Sequence, residues 1–464
     1  MESSCHDATN GDAPMTKITP MNVHETLGKY MLADGFDLVF DLENSRGSYF
    51  YDLRTGRKFL DFFSFFASSP VGFNHPKMTT PAVIQKLGQL SVNNITNSDL
   101  YTVEMAEFVD TFFRVAVPSY MLHSFYVAGG ALAVENALKA AMDWKVRKNL
   151  AKGYRREIGS KVIHFQEAFH GRTGYTMSLT NTADPNKYKF FAKFDWPRIV
   201  NPKIKFPLNE GNLEAVERME ELAINQIKTA FQENRDEICA IILEPIQGEG
   251  GDNHFRAEFL RELRALATEN DAMLIFDEVQ TGIGLTGKMW AHQHYGVEPD
   301  MIAFGKKMQV CGFLCGPRID EVEDNVFHVA SRLNSTWGGN LIDMYRAKMY
   351  LDIIHDEKLV DHAAKVGGTL LSGLDQLATD FPQLVSNVRG RGLMCAFDLP
   401  TPEIRDEFRK DLYENGVVLL GSGTHSVRFR PTLTVSEAEI AEGLSVFRKS
   451  LSQLATQFET APTA

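Results

Sequence analysis

A chain of 464 residues, 44% hydrophobic and 23% charged, has the volume for one large domain and a smaller one. Its 48 Lys and Arg against 60 Asp and Glu leave a net charge of −12, which excludes a general basic footprint for nucleic acid. No stretch reaches the roughly 18 uninterrupted apolar residues of a membrane span, so we expect a soluble, cytoplasmic protein with no membrane partner.

Residues 1–20 are polar, lack an apolar signal core and read as a flexible tail. Residues 36–60 read as antiparallel strands, with turns at 44–47 and 54–56. From about residue 77 to about 345, short apolar runs alternate with amphipathic ones. Lys161–Phe165, Ile238–Leu243, 273–276 and Met301–Phe304 read as buried strands of a mostly parallel sheet. Between two of them, 257–270 carries Phe259, Leu260, Leu263, Leu266 and Ala267 on one helical stripe. The alternation implies a doubly wound α/β domain, whose ligands sit beyond the carboxyl ends of the strands. After residue 345 come helices at 344–355 and 359–378, strands near 393–398 and 427–430, and a last helix from about Ser436. The expected domains are therefore a tail at 1–20, a large domain at 77–345, and a smaller α+β domain built from 21–76 and 346–464.

Five scattered cysteines read as buried small apolar residues of a reducing compartment. Cys311 and Cys315 lack a second Cys or His pair at suitable spacing, so no metal is expected.

Two polar residues follow apolar strands. Asp277 ends the run LIFD and Lys306 follows MIAFG. Alone, the acid also suits a helix cap and the amine a solvated surface. Together at two strand ends they suit pyridoxal phosphate, with the amine on the aldehyde and the carboxylate on the pyridinium nitrogen. The run from Tyr126 to Lys139 is a strand end, the pair Gly129 and Gly130, and a helix with Val134, Ala137, Leu138, Ala141 and Met142 on its buried face. A glycine pair at a helix N-terminus suits a phosphate as well as an ordinary strand–helix turn. After Lys161–Phe165, Phe169 could stack on a ring and Arg172 could grip a carboxylate with a bidentate fork. Glu249 lies in a glycine-rich loop, and the glycines on both sides of it, Gly248 and Gly250, suggest a mobile backbone that lets it exchange partners. Asn334 and Thr336 precede a helix, where Thr336 suits a phosphate ligand or a cap. Arg428 and Arg430 share one face of a strand; we expect one to reach the site and the other to be a surface charge.

In this order, the strings GGALAVENALKAA, AFHGRTGYTMSLTNT, KFDWPRI, EPIQGEGGD, LIFDEVQTG, AFGKKMQVCG, SRLNSTWGGN and RGRGLMCAF resemble the class III (ω-) aminotransferases of PLP fold type I. The resemblance runs from roughly residue 24 to residue 450. It implies an aspartate aminotransferase-like fold and a homodimer with shared active sites. It also implies transfer of the ε-amino group of L-lysine to 2-oxoglutarate, giving L-glutamate. By the same resemblance Lys306, rather than Lys307, forms the Schiff base, Asp277 binds the pyridine nitrogen, Gln280 the phenolic oxygen, and Phe169 stacks on the ring. Gly130 and Ala131, beside Gly129, bind the phosphate together with Thr336 of the second subunit, and Asn334 and Phe66 line the substrate. Arg172 takes the distal carboxylate, Arg428 the one next to the reacting carbon, and Glu249 gates Arg428. The 4-aminobutyrate aminotransferases share this logic; the alternatives are 4-aminobutyrate or ornithine as the donor and, more remotely, a non-catalytic binding protein of the same fold. The chain departs from the family pattern at Ala128, where an acidic residue is usual, and at Phe66, where a small apolar residue is.

Overall fold

The computed structural model describes residues 17–460; the expected tail lies outside the described residues up to position 16, as does Cys5. A seven-stranded sheet runs through the larger part of the molecule. Its spatial order is His123–Val127, Cys311–Cys315, Met301–Phe304, Met273–Asp277, Ile238–Leu243, Lys161–Phe165 and Arg198–Ile199. All are parallel except Cys311–Cys315, which runs antiparallel to both neighbours. This is the α/β architecture that the alternating runs imply.

The strands are apolar on both faces because helices cover both. Ala240 and Ile242 pack with Val134, Leu138, Ala141 and Trp144 of the helix Gly130–Ala151. Their neighbours Ile241 and Leu243 face the other way, onto Phe259, Leu260 and Leu263 of the helix Ala257–Glu269 and Ile227 of Glu210–Glu233. Alternation along a strand sends successive residues to opposite cores, so a continuous apolar run is what a doubly covered strand needs.

The two flanks meet. Tyr49–Tyr51 and Lys58–Asp61 form an antiparallel pair, and Val417–Val418 adds to Lys58–Asp61 in parallel. A four-stranded antiparallel sheet follows in the order Ser386–Arg391, Met394–Asp398, Ser426–Phe429, Leu420–Ser422. Among the described residues no helix is long and apolar enough to cross a membrane.

Because the parallel strands share a direction, Val127, Phe165, Leu243, Asp277 and Phe304 all end on one edge of the large sheet. The segments that follow them converge there.

Candidate active site

A cavity of about 660 Å³ opens at that edge, lined among others by Gly129, Gly130, Phe169, Arg172, Asp277 and Lys306. Asp277 is buried at its floor. Its Oδ2 accepts a hydrogen bond from His170 Nδ1 at 2.8 Å and its Oδ1 accepts from the Val279 N–H at 3.1 Å. Burial alone would push the His170 imidazole down, but the hydrogen bond and charge of Asp277 outweigh it and raise its pKa. His170 Nε2 is buried without a hydrogen-bond partner among the described residues. Beneath lies Glu244, which accepts from the Phe169 and Gly248 N–H groups, each at 3.0 Å. Burial lifts this carboxyl to about 7, with His170 pulling it down and Asp277 pushing it up. Sequence reasoning passed over His170 and Glu244, although both stand inside quoted strings. A buried polar side chain announces itself only through its partners, and the chief ones here, Asp277 for His170 and Phe169 for Glu244, lie far away in the chain.

Lys306 follows its strand in a left-handed conformation (φ +50°), and its carbonyl accepts from the Gln309 N–H at 2.7 Å. Its side chain is half-buried at the cavity and has no hydrogen-bond or ion-pair partner among the described residues. Burial, then the nearby Arg428 charge, lowers this amine to about 8, against the pull of Asp277, Glu244 and Glu249. Lys307 points elsewhere: its Nζ donates to the carbonyls of Gln280 at 2.6 Å and Ala67 at 3.2 Å, away from the cavity.

Gly129 has φ +113°, a conformation that L side chains rarely adopt, and a Cβ there would meet nothing within 4 Å. Gly129, Gly130 and Ala131 line the cavity at the start of Gly130–Ala151, a 22-residue helix without a side-chain N-cap. Ala128 is exposed and does not line the cavity. A phosphorylated pyridine aldehyde fits what is present. An uncapped helix start offers N–H donors and a positive dipole end to the phosphate, Asp277 a carboxylate to a ring nitrogen, Phe169 an aromatic wall, and Lys306 a free amine of depressed basicity. Among the described residues, no group of three or more His, Cys, Asp or Glu is placed to hold a metal ion.

Glu249 and Arg428 line a second, smaller cavity of about 280 Å³ together with Phe66 and Lys187. Arg428, only 4% exposed, places Nη2 at 2.8 Å from Glu249 Oε2. Lys187 Nζ holds the other oxygen, Oε1. Burial raises the Glu249 pKa, but the two cations outweigh that and hold it below the usual carboxylate range. Arg172 is exposed at the mouth of the larger cavity, without an ion-pair partner among the described residues.

Two expectations are corrected. Arg430 is no surface charge: it is 2% exposed, pairs with Asp252, and lies 3.3 Å from Gln280 Oε1. The strand alternation put both arginines on one face correctly, and that face is buried. The glycines around Glu249 are there for close packing, since a Cβ on Gly248 would meet Gln280 Oε1 at 2.3 Å and one on Gly250 the Glu167 carbonyl oxygen at 2.1 Å. The Glu249 carbonyl also accepts from the Gly423 N–H at 2.9 Å. The backbone is pinned, so any motion of Glu249 belongs to its side chain.

Thr336 and Asn334 are exposed and not brought to this chain's cavity. The helix after them, Leu341–Asp356, is capped by the Asn340 side chain instead.

The family model described as aminotransferase class-III matches residues 31–451. The L-lysine-epsilon aminotransferase of Mycobacterium tuberculosis (strain ATCC 25618 / H37Rv) is 52% identical over 434 residues, 93% of this chain and 96% of that protein. The enzyme of the same name from Streptomyces clavuligerus is 48% identical over 437 residues, 94% of this chain and 95% of its own length. The solved lysine aminotransferase from M. tuberculosis in the internal aldimine form superposes with a TM-score of 0.92, covering 94% of this chain and 100% of that one, at 52% identity. The mitochondrial 4-aminobutyrate aminotransferase of Homo sapiens is 32% identical over 435 residues, 89% of this chain and 85% of that protein.

Proposed function

This chain belongs to the class III aminotransferases, and from that premise we propose that it moves the ε-amino group of L-lysine to 2-oxoglutarate. The products are 2-aminoadipate 6-semialdehyde, which cyclises to an imine, and L-glutamate. The enzyme is a pyridoxal-phosphate-dependent aminotransferase. When bound, pyridoxal phosphate supplies an aldehyde for the amine and a ring that takes up the electrons of a broken C–H bond.

Gly129, Gly130 and Ala131 would hold the phosphate, Phe169 one ring face, Gln280 the phenolic oxygen, and Asp277 the ring nitrogen. His170 fixes the Asp277 carboxylate, and Glu244 fixes the backbone of Phe169. The Lys306 amine, lowered to about 8, is basic enough to take a proton from the reacting carbon and neutral enough to be free to do so.

The ion pair between Glu249 and Arg428 carries the substrate reading. The ε-carbon of lysine bears no carboxylate, so the arginine beside it must be covered; the α-carboxylate then lies far off, within reach of Arg172. 2-Oxoglutarate reacts next to a carboxylate and needs Arg428 uncovered, with its distal carboxylate on Arg172. Leaving a buried guanidinium unpaired costs several kcal/mol, roughly. A glutamate side chain that covers and uncovers Arg428 lets one site serve both substrates.

In this reading residues 77–345 bind the cofactor, and 21–76 with 346–464 form the smaller domain. The protein works as a homodimer in which Thr336 and Asn334 complete the second subunit's site, consistent with their exposure outside their own cavity. Buried free thiols at Cys239, Cys311, Cys315 and Cys395 favour the reducing cytoplasm.

A panel of amine donors with 2-oxoglutarate, with the cyclic imine from lysine trapped, tests the reading. Turnover of lysine well above 4-aminobutyrate and ornithine is expected. No imine from lysine with turnover of 4-aminobutyrate would overturn it.

A further inference from the structure

Glu249 has two cationic partners, and only one of them, Arg428, has a part in the reading above. The other is Lys187, at the end of the short helical turn Pro185–Lys187, on a segment remote in sequence from both. The Lys187 side chain is 25% exposed and that of Glu249 21%, so this contact sits at the rim, whereas Arg428 is buried behind it. The smaller cavity touches all three side chains and gives the carboxylate room to move. Its backbone cannot follow, because Gly248 and Gly250 are packed against Gln280 and Glu167 and the Glu249 carbonyl is bonded to Gly423.

We propose that Lys187 is the latch that keeps hold of Glu249 when the carboxylate leaves Arg428, and so sets how readily the site accepts a substrate whose carboxylate adjoins the reacting carbon. The inference rests on the gating role given to Glu249 above. With Arg428 covered, Glu249 has two cations and loses one of two if Lys187 is removed. With Arg428 uncovered, Lys187 is the partner that remains to it, since Arg405 and Arg409, which also line this cavity, are paired with Asp406, and its removal strands the carboxylate. The uncovered state is penalised more, so removing Lys187 biases the gate shut. Lys187 is thus a positioning residue that acts through Glu249 and touches neither substrate nor cofactor.

The test uses the holoenzyme and follows each half-reaction by cofactor absorbance, with L-lysine in the first and 2-oxoglutarate in the second. Lys187→Met is expected to raise the KM for 2-oxoglutarate about fivefold or more while the lysine half-reaction changes by less than about twofold. Lys187→Arg, which keeps the charge, should stay near the parent enzyme. In a Glu249→Gln background, where the carboxylate charge is gone, Lys187→Met should add nothing. Equal changes in both half-reactions, no change in either, or a Lys187→Met effect that persists beside Glu249→Gln would overturn the proposal; persistence would mean that Lys187 attracts the dicarboxylate directly. If the parent enzyme refuses lysine but turns over another amine whose reacting carbon lacks a carboxylate, the lysine reading fails, and the same split measured with that amine still decides for or against the latch.

Discussion

The floor of the large cavity and the wall that holds Arg428 are both rich in buried charge, but they are built differently. At the floor, Asp277, His170 and Glu244 are joined to one another or to backbone N–H groups, on segments that leave adjacent strands of one sheet. At the wall, Lys187, Glu249 and Arg428 come from three segments and meet only through side chains. At the floor both carboxylates are held by backbone N–H groups. The wall has a carboxylate with two cations, and a carboxylate can exchange one partner for another without moving the fold. On the proposed function, the chemistry common to every amine rests on the sheet, and the choice between substrates on side chains that can rearrange.

The comparison can be broken first at the floor. Asp277→Asn keeps the shape and removes the charge that faces His170 and, on the proposed function, the ring nitrogen. A charge-assisted bond of this kind contributes about 1.5–3 kcal/mol, so both half-reactions should fall together by about tenfold to a hundredfold. Unequal losses in rapid-quench measurements of the two would mean that the floor also discriminates between substrates. A smaller effect concerns Lys306, whose amine is lowered to about 8 by burial and Arg428. Between that value and the ordinary lysine range the folded protein holds a neutral amine where a free lysine would still be protonated. The rate at which cofactor-free protein takes up pyridoxal phosphate should therefore rise with pH and level off above about 8, since the neutral amine is the nucleophile. A rate still climbing through pH values near the ordinary lysine pKa of about 10.4 would show that the cavity does not lower it.

The strands beneath the floor were legible beforehand, and of its three buried side chains Asp277 was, while His170 and Glu244 were not. The runs at Lys161–Phe165, Ile238–Leu243 and Met301–Phe304 have the bounds read for them, because strands covered on both faces are apolar without interruption. Once those strands are parallel, the residues that follow them must meet at one edge, as Asp277 and Lys306 do. Less could be read of what joins one segment to another. Arg430 was assigned to the surface because its partner Asp252 lies far away in the chain. Gly248 and Gly250 suggested freedom, whereas their cause is the approach of Gln280 and Glu167. Lys187 carried no signal, being one lysine in a polar stretch. Periodicity reports which side of an element is buried; it does not report the partner waiting there.

The division of labour between floor and wall is tested most directly by the two half-reactions of Glu249→Ala. Without the carboxylate, Arg428 stays uncovered. The L-lysine half-reaction should drop by about tenfold or more relative to that with 2-oxoglutarate, the opposite sense to Lys187→Met, while the cofactor remains bound. Rates that are unchanged in both half-reactions, or that fall by the same factor, would contradict the account.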